Sequence, residues 1–117
     1  MPEANMEKPA EVKLRIAWTT VETPEDANRL AHAIMESRQA ACVQIDGPVR
    51  SLFHWEGKLE SSNEVRLWIK YPKQNESALQ KLVDEAHPYE VPQWVAVDAV
   101  AVMTAYGEWA SSVAPSQ

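Results

Sequence analysis

The chain reads as one α+β domain in which strand, helix, strand, strand, helix and strand follow in order, closed by an added helix. Three observations carry that reading. Apolar and polar residues alternate over Val12 to Thr20, and again through the segments around residues 43–55 and 59–71, the period of half-buried strands. Two intervening stretches instead place apolar residues at i, i+3, i+4 and i+7 or close to it, the spacing of one helical face. Turn chemistry separates the segments at Thr23-Pro24, Glu56-Gly57 and His87-Pro88.

In the first strand Val12, Leu14, Ile16 and Trp18 form the apolar set, with Lys13, Arg15 and Thr19 between them. Thr23-Pro24-Glu25-Asp26 then opens a helix: Thr23 supplies a cap, Pro24 suits the first turn, and the acids favour the positive end of the dipole. Ala27, Leu30, Ala31 and Ile34 are its predicted buried stripe. Two long strands follow. Val43, Ile45, Val49, Phe53 and Trp55 share one parity, with Gly47-Pro48 marking a bend or bulge. Gly57 takes positive φ at no steric cost and turns the chain. Leu59, Val65, Leu67, Ile69 and Tyr71 line one face of the returning strand. Leu52 and Trp68 fall on the opposite parity among Arg50, His54, Glu64, Arg66 and Lys70, so that face is expected to be covered too, by a second copy of the chain.

A second helix follows with Leu79, Leu82, Val83 and Ala86 inward, ended by Pro88. Trp94 to Val97 make a short strand. A last helix places Val102, Tyr106, Trp109 and Val113 on one side, with Gly107 costing about 1 kcal/mol relative to Ala. This order is the split β-α-β plan of a ferredoxin-like βαββαβ sandwich, with a long hairpin between its second and third strands and an additional C-terminal helix. The domain is expected over residues 12–114, after a disordered tail over residues 1–11.

Composition narrows the function. The 117 residues carry 17 acidic and 11 basic side chains, a net charge of −6, which argues against a phosphate backbone or an anionic membrane as partner. No apolar run approaches the roughly 20 residues a bilayer span needs. A single cysteine, Cys42, cannot form an internal disulfide and fits the reducing cytoplasm.

Several segments, taken together and in order, resemble the CutA-type divalent-cation tolerance family. They are Ala40-Ala41-Cys42-Val43, Ser51 to Lys58 (Ser-Leu-Phe-His-Trp-Glu-Gly-Lys), Glu64 and Lys70, His87-Pro88-Tyr89-Glu90-Val91-Pro92, and Tyr106 with Trp109. The likeness runs from about Leu14 to Val113. It implies a subunit built like the PII signalling proteins, assembled as a homotrimer by pairing of long strands, with a role in copper or other divalent-metal tolerance and ligand pockets in clefts between subunits. The chain also departs from the family. Trp18 stands where some bacterial relatives carry cysteine, and Ala86 where they carry a second histidine; both positions are implied copper ligands in those relatives. Gln44 replaces a common Asn, Gln93-Trp94 an acidic and an aliphatic residue, and Asp98 falls near a usual proline. His87 alone remains of that ligand set, and one imidazole predicts weak binding of Cu(II) or another divalent cation.

Each candidate site also has a plain structural alternative. Cys42, at a strand entry, is a small buried residue or else a soft copper ligand reached by assembly. His87 at a helix C-terminus either caps carbonyls as a dipole-stabilised cation or ligates metal; Tyr89 either packs at a subunit boundary or joins a site; Glu90 either pairs with a lysine or faces a ligand. Trp55 and Lys58 flank a hairpin turn, yet the tip reaches far enough to meet another subunit. If Lys58 or Lys70 of a neighbour approaches Glu64 or Glu90, a polar cleft follows, bounded by Trp55, Lys58, Glu64, Lys70, Tyr89 and Glu90. Three functions compete: a non-enzymatic homotrimer binding an unidentified small molecule or metal, an acid–base enzyme using His87, Tyr89, Glu90 and Lys58, and a purely structural scaffold.

Overall fold

The computed structural model describes residues 12–115, so the segment read as a tail over residues 1–11 lies outside the described residues. Its elements are β1 (Leu14–Val21), α1 (Pro24–Glu36), β2 (Cys42–Trp55), β3 (Lys58–Pro72), a 3-10 turn (Lys73–Asn75), α2 (Glu76–Ala86), β4 (Val95–Asp98) and α3 (Thr104–Val113). The sheet runs β2-β3-β1-β4 with every neighbouring pair antiparallel. This is the ferredoxin-like order, with both central strands flanked by others.

The helix layer forms as the apolar spacing dictates. Thr23 Oγ1 accepts a hydrogen bond from the Asp26 N–H at 3.1 Å, which fixes the start of α1. Ala27, Leu30, Ala31 and Ile34 of α1 and Leu79 and Val83 of α2 are buried against Ala17, Val21, Leu67, Ile69 and Tyr71 of the sheet. Ala86, expected inward, is exposed, because α2 ends there and the chain turns away.

Strand β1 departs from its expected pattern. Its odd positions Ala17, Thr19 and Val21 face the helices and are fully buried, whereas Ile16 and Trp18 point to the other face and stay part-exposed. A central strand under helices needs small residues on the helix side, so the larger set marks the other face. There Trp18 pairs in register with Trp68, their rings edge to face at 5.2 Å, and Val95 flanks them.

The β2–β3 hairpin has 14 and 15 residues in its strands, about 48 Å of extended chain. Glu56 at φ 51° and Gly57 at φ 79° close it, the two left-handed residues of a type I′ turn. Halfway along, register slips between Asp46 and Val49. Gly47, at φ 151°, lies so close to β3 that a Cβ there would meet the Glu64 carbonyl oxygen at 3.1 Å. This bulge corrects the expected parity. Val43 and Ile45 pair with Ile69 and Leu67, but beyond the bulge Val49, Ser51 and Phe53 pair with Glu64, Ser62 and Glu60. Val49, Phe53 and Trp55 therefore switch to the Trp68 face. Leu52, opposite Ser61, leaves it.

Of the stripe expected around α3, Val102 and Val113 pack against the buried cluster, but Tyr106 and Trp109 do not. Gly107 and Ala110 are buried, with Ala110 and Ala114 against Leu14 and Ala41, while Tyr106 and Trp109 of the expected stripe are 37 % and 44 % exposed. Small residues let α3 approach the sheet closely. Asn75 Nδ2 ties its end down, donating to the carbonyls of Gln39 and Ala114 at 3.1 Å each.

Candidate functional site

Pro88 stops α2, and the chain crosses the C-terminal end of β1. There His87 is buried. The Tyr89 N–H donates to its Nδ1 at 3.1 Å, so Nδ1 carries a lone pair and Nε2 carries the proton. Nε2 in turn lies 3.0 Å from both Thr19 Oγ1 and the Thr20 carbonyl oxygen. Both ring nitrogens are thus engaged within the chain. Burial holds the imidazole below its ordinary pKa, against the opposing pull of the Thr20 carbonyl, Glu64 and Asp26. The expected helix-end cation is therefore corrected: His87 is a neutral clamp between β1 and the segment after α2. A metal could use it only by displacing the Tyr89 N–H or the Nε2 proton.

Tyr89 follows from this clamp. Its ring packs edge-on against His87 at 4.9 Å and its hydroxyl donates to Glu64 Oε2 at 2.8 Å. Desolvation, then the hydrogen bond to Glu64, push the phenol above its ordinary pKa. Glu64 itself is only 7 % exposed. Beyond it the hairpin, the Tyr89–Glu90 corner and the following loop enclose an open groove of about 810 Å³.

Of the six residues assigned to a cleft, the structure gathers Trp55, Glu64, Tyr89 and Glu90 on this groove. It does not gather the lysines. Lys58 sits beside the turn, paired with Trp55. Lys70 lies six residues along β3 from Glu64, about 20 Å away, with its Nζ over the Tyr106 ring at 5.9 Å. Cys42, in register with Lys70, is half-buried at that same far end. Among the described residues no three His, Cys, Asp or Glu side chains come together as a metal site.

Sequence reasoning missed Phe53, because the bulge at Gly47 moves it to the side opposite Val43 and Ile45, and with it Glu60, its partner across the hairpin. It also missed two clusters. Arg66 holds Asp46 through two hydrogen bonds of 3.0 and 2.8 Å, stacks over Trp68 at 5.1 Å, and lowers the Asp46 pKa; Trp68 Nε1 adds a donor at 3.2 Å. Buried Tyr71 donates to Glu76 Oε1 at 2.6 Å, and Arg15 bridges Glu76 at 3.1 Å and Asp98 at 3.3 Å. Burial and the Glu76 carboxylate raise the Tyr71 pKa. In each cluster one member, Asp46 or Arg15, is far from the others in sequence, and only the register brings it to them.

Residues 15–113 match the family model described as CutA1 divalent ion tolerance protein. A divalent-cation tolerance protein CutA from Pectobacterium atrosepticum is 43 % identical over 72 residues, covering 60 % of this chain and 66 % of that protein. Protein CutA of Mus musculus is 33 % identical over 100 residues, covering 86 % of this chain and 56 % of the mouse protein. The chain thus spans somewhat over half to two thirds of these relatives. The crystal structure of CutA1 from Oryza sativa superposes with a TM-score of 0.88 at 30 % identity, covering 93 % of this chain and all of that one. With the family model matched and the fold superposed along nearly the whole described length, the chain belongs to the CutA1 divalent ion tolerance family.

Proposed function

We propose that the chain works as a PII-like homotrimer in the response to divalent metal, without catalysis, and that its groove becomes a ligand cleft between subunits. One observation carries this reading: the sheet face away from α1 and α2 bears an apolar stripe that is only partly covered. Across it run Trp68, Trp18 and Val95, then Ile16 and Val97, with Val95 and Val97 52 % and 42 % exposed. Val100, Met103, Tyr106 and Trp109 continue the exposed apolar surface. An apolar area of this extent is the mark of an association surface. The hairpin supports it, since Leu52, Phe53, Trp55 and Leu59 are exposed and together offer apolar groups on both of its faces.

The groove residues suit binding better than proton transfer. An acid or base working near neutrality needs a pKa near the working pH. Tyr89 holds its proton more tightly than a free phenol, and His87 spends both nitrogens internally. Metal enters this reading as a weakly held ligand, Cu(II) at His87 after local opening. Cys42, lacking a partner cysteine, fits a cytoplasmic setting.

Light scattering on the purified chain tests the assembly, with the expected mass three times the 13.2 kDa of one chain. A mass of one chain in dilute neutral buffer would remove the second wall of the cleft. On the same sample, copper calorimetry should show weak binding that disappears in His87→Ala. Submicromolar affinity untouched by that substitution would place the metal elsewhere.

A further inference from the structure

We infer that the groove between the hairpin and the Tyr89–Glu90 corner takes a linear aliphatic polyamine, held by separated carboxylates along aromatic walls. The inference rests on the cleft reading above and adds to it the class of molecule bound. Glu60, Glu64 and Glu90 line the groove, and among the described residues no lysine, arginine or histidine does. A concave surface with one sign of charge focuses its field on a ligand of the other sign.

Glu64 gives an independent indication. It is 7 % exposed, its Oε2 accepts the Tyr89 hydroxyl, and no cation of the described residues forms an ion pair with it. A carboxylate offers about four acceptor positions, and one neutral phenol fills only one of them. Its remaining oxygen has no donor among the described residues. A buried carboxylate on a groove wall, without a positive partner, calls for one from outside.

The spacing of charge decides what kind of cation. A metal ion draws several ligands to one point, within about 2.6 Å. Here the acidic groups do not converge in that way. Glu60 and Glu64 instead lie on one face of β3 four residues apart, about 14 Å along the strand. Separated anions match a ligand whose own charges are separated by methylenes. Phe53 pairs opposite Glu60, and Trp55 lies next along the same face toward the turn, so apolar surface adjoins the charge at that end of the groove. Methylene segments pack on these rings, and an ammonium over Trp55 gains a cation–π contact.

Spermidine titrated into the 117-residue chain, followed by calorimetry and tryptophan emission, tests the assignment. Saturable binding is expected, weakened at least about tenfold in Glu64→Gln and in Glu90→Gln. The glutamine at position 64 keeps an acceptor for Tyr89, and Glu90 is exposed, so the second variant serves if the first misfolds. Glu36→Gln, which removes the same charge from the end of α1, should bind as wild type does. Butylamine, with one ammonium, should bind at least tenfold more weakly than spermidine. Equal weakening in Glu36→Gln, or binding that never saturates, would reduce the effect to condensation on an anionic chain and overturn the inference. Light scattering on the same samples separates the two readings. A trimer that ignores spermidine overturns the polyamine alone and leaves a neighbour's lysine as occupant of the groove. A single chain that binds spermidine through Glu64 keeps the polyamine and discards the intersubunit cleft.

Discussion

At the residue scale, His87 shows how burial redirects a group that its sequence position makes look reactive. A histidine ending a helix reads as a cation near carbonyls, yet the Tyr89 N–H claims one nitrogen and the Thr20 carbonyl the other. Nothing in His-Pro-Tyr discloses this, since Thr19 and Thr20 lie 68 and 67 residues away. The consequence appears in pH dependence. Desolvation lowers the native pKa of His87, while the unfolded chain keeps a value near 6.5. As pH falls through 6.5 the unfolded state takes up a proton that the native state refuses, so this contribution to stability is complete above that pH and is lost below it. Denaturant unfolding at fixed chain concentration should therefore weaken from pH 7.5 to 5.5. His87→Gln, which retains a donor for Thr20, should be less stable at pH 7.5 but show a shallower decline. Identical slopes in the two proteins would remove His87 from the pH response.

At the scale of elements, legibility follows whether the signal is local. The start of α1 is written in four consecutive residues, and the structure puts the Thr23 hydroxyl on the Asp26 N–H as that spacing implies. Its stripe of Ala27, Leu30, Ala31 and Ile34 is buried in full. The turn at Glu56-Gly57 is equally local. By contrast, the face of β2 depends on whether Gly47-Pro48 adds a residue to the ladder, and a slip of one residue exchanges every side chain beyond it. That is why the parity of Val43 and Ile45 put Phe53 and Trp55 on the wrong face, away from Trp68 and Glu64. Around α3 the valines of the expected stripe, Val102 and Val113, pack inward, whereas the aromatic pair Tyr106 and Trp109 is turned out because Gly107 and Ala110 permit the closer approach. The local device is the one that can be tested cleanly. Replacing Thr23 by Ala removes the side-chain N-cap of α1 and should cost about 1 kcal/mol, with the spectroscopic helix signal retained. Ser at the same position should restore most of it. A loss below a few tenths would show that Pro24 and the acidic first turn hold the helix start unaided.

At the scale of the whole molecule, the two sheet faces were legible to different degrees. The helix-covered face follows from periodicity, because helix and strand patterns describe the same core. The other face could only be noticed as an excess, a large aromatic where charge was expected, and its extent emerges once register sets Trp18 beside Trp68 and Val95. If copies of the chain cover that face, a charge placed at its edge should break assembly while leaving the helix-side core intact. Val97 is suited to this: it is 42 % exposed, opposite Ile16, and outside both buried clusters. In the single chain Val97→Lys costs little, because the ammonium reaches water. In a trimer it would repeat three unpaired charges in a dry interface, each costing several kcal/mol. At 1.4 kcal/mol per decade, dissociation should strengthen by roughly a hundredfold or more. Light scattering of Val97→Lys is then expected to report single chains with far-ultraviolet dichroism unchanged, and tryptophan emission shifted to the red as Trp18 and Trp68 meet water. A variant retaining the parent mass would show that this face is not where copies meet, and the groove would then have to bind with one wall.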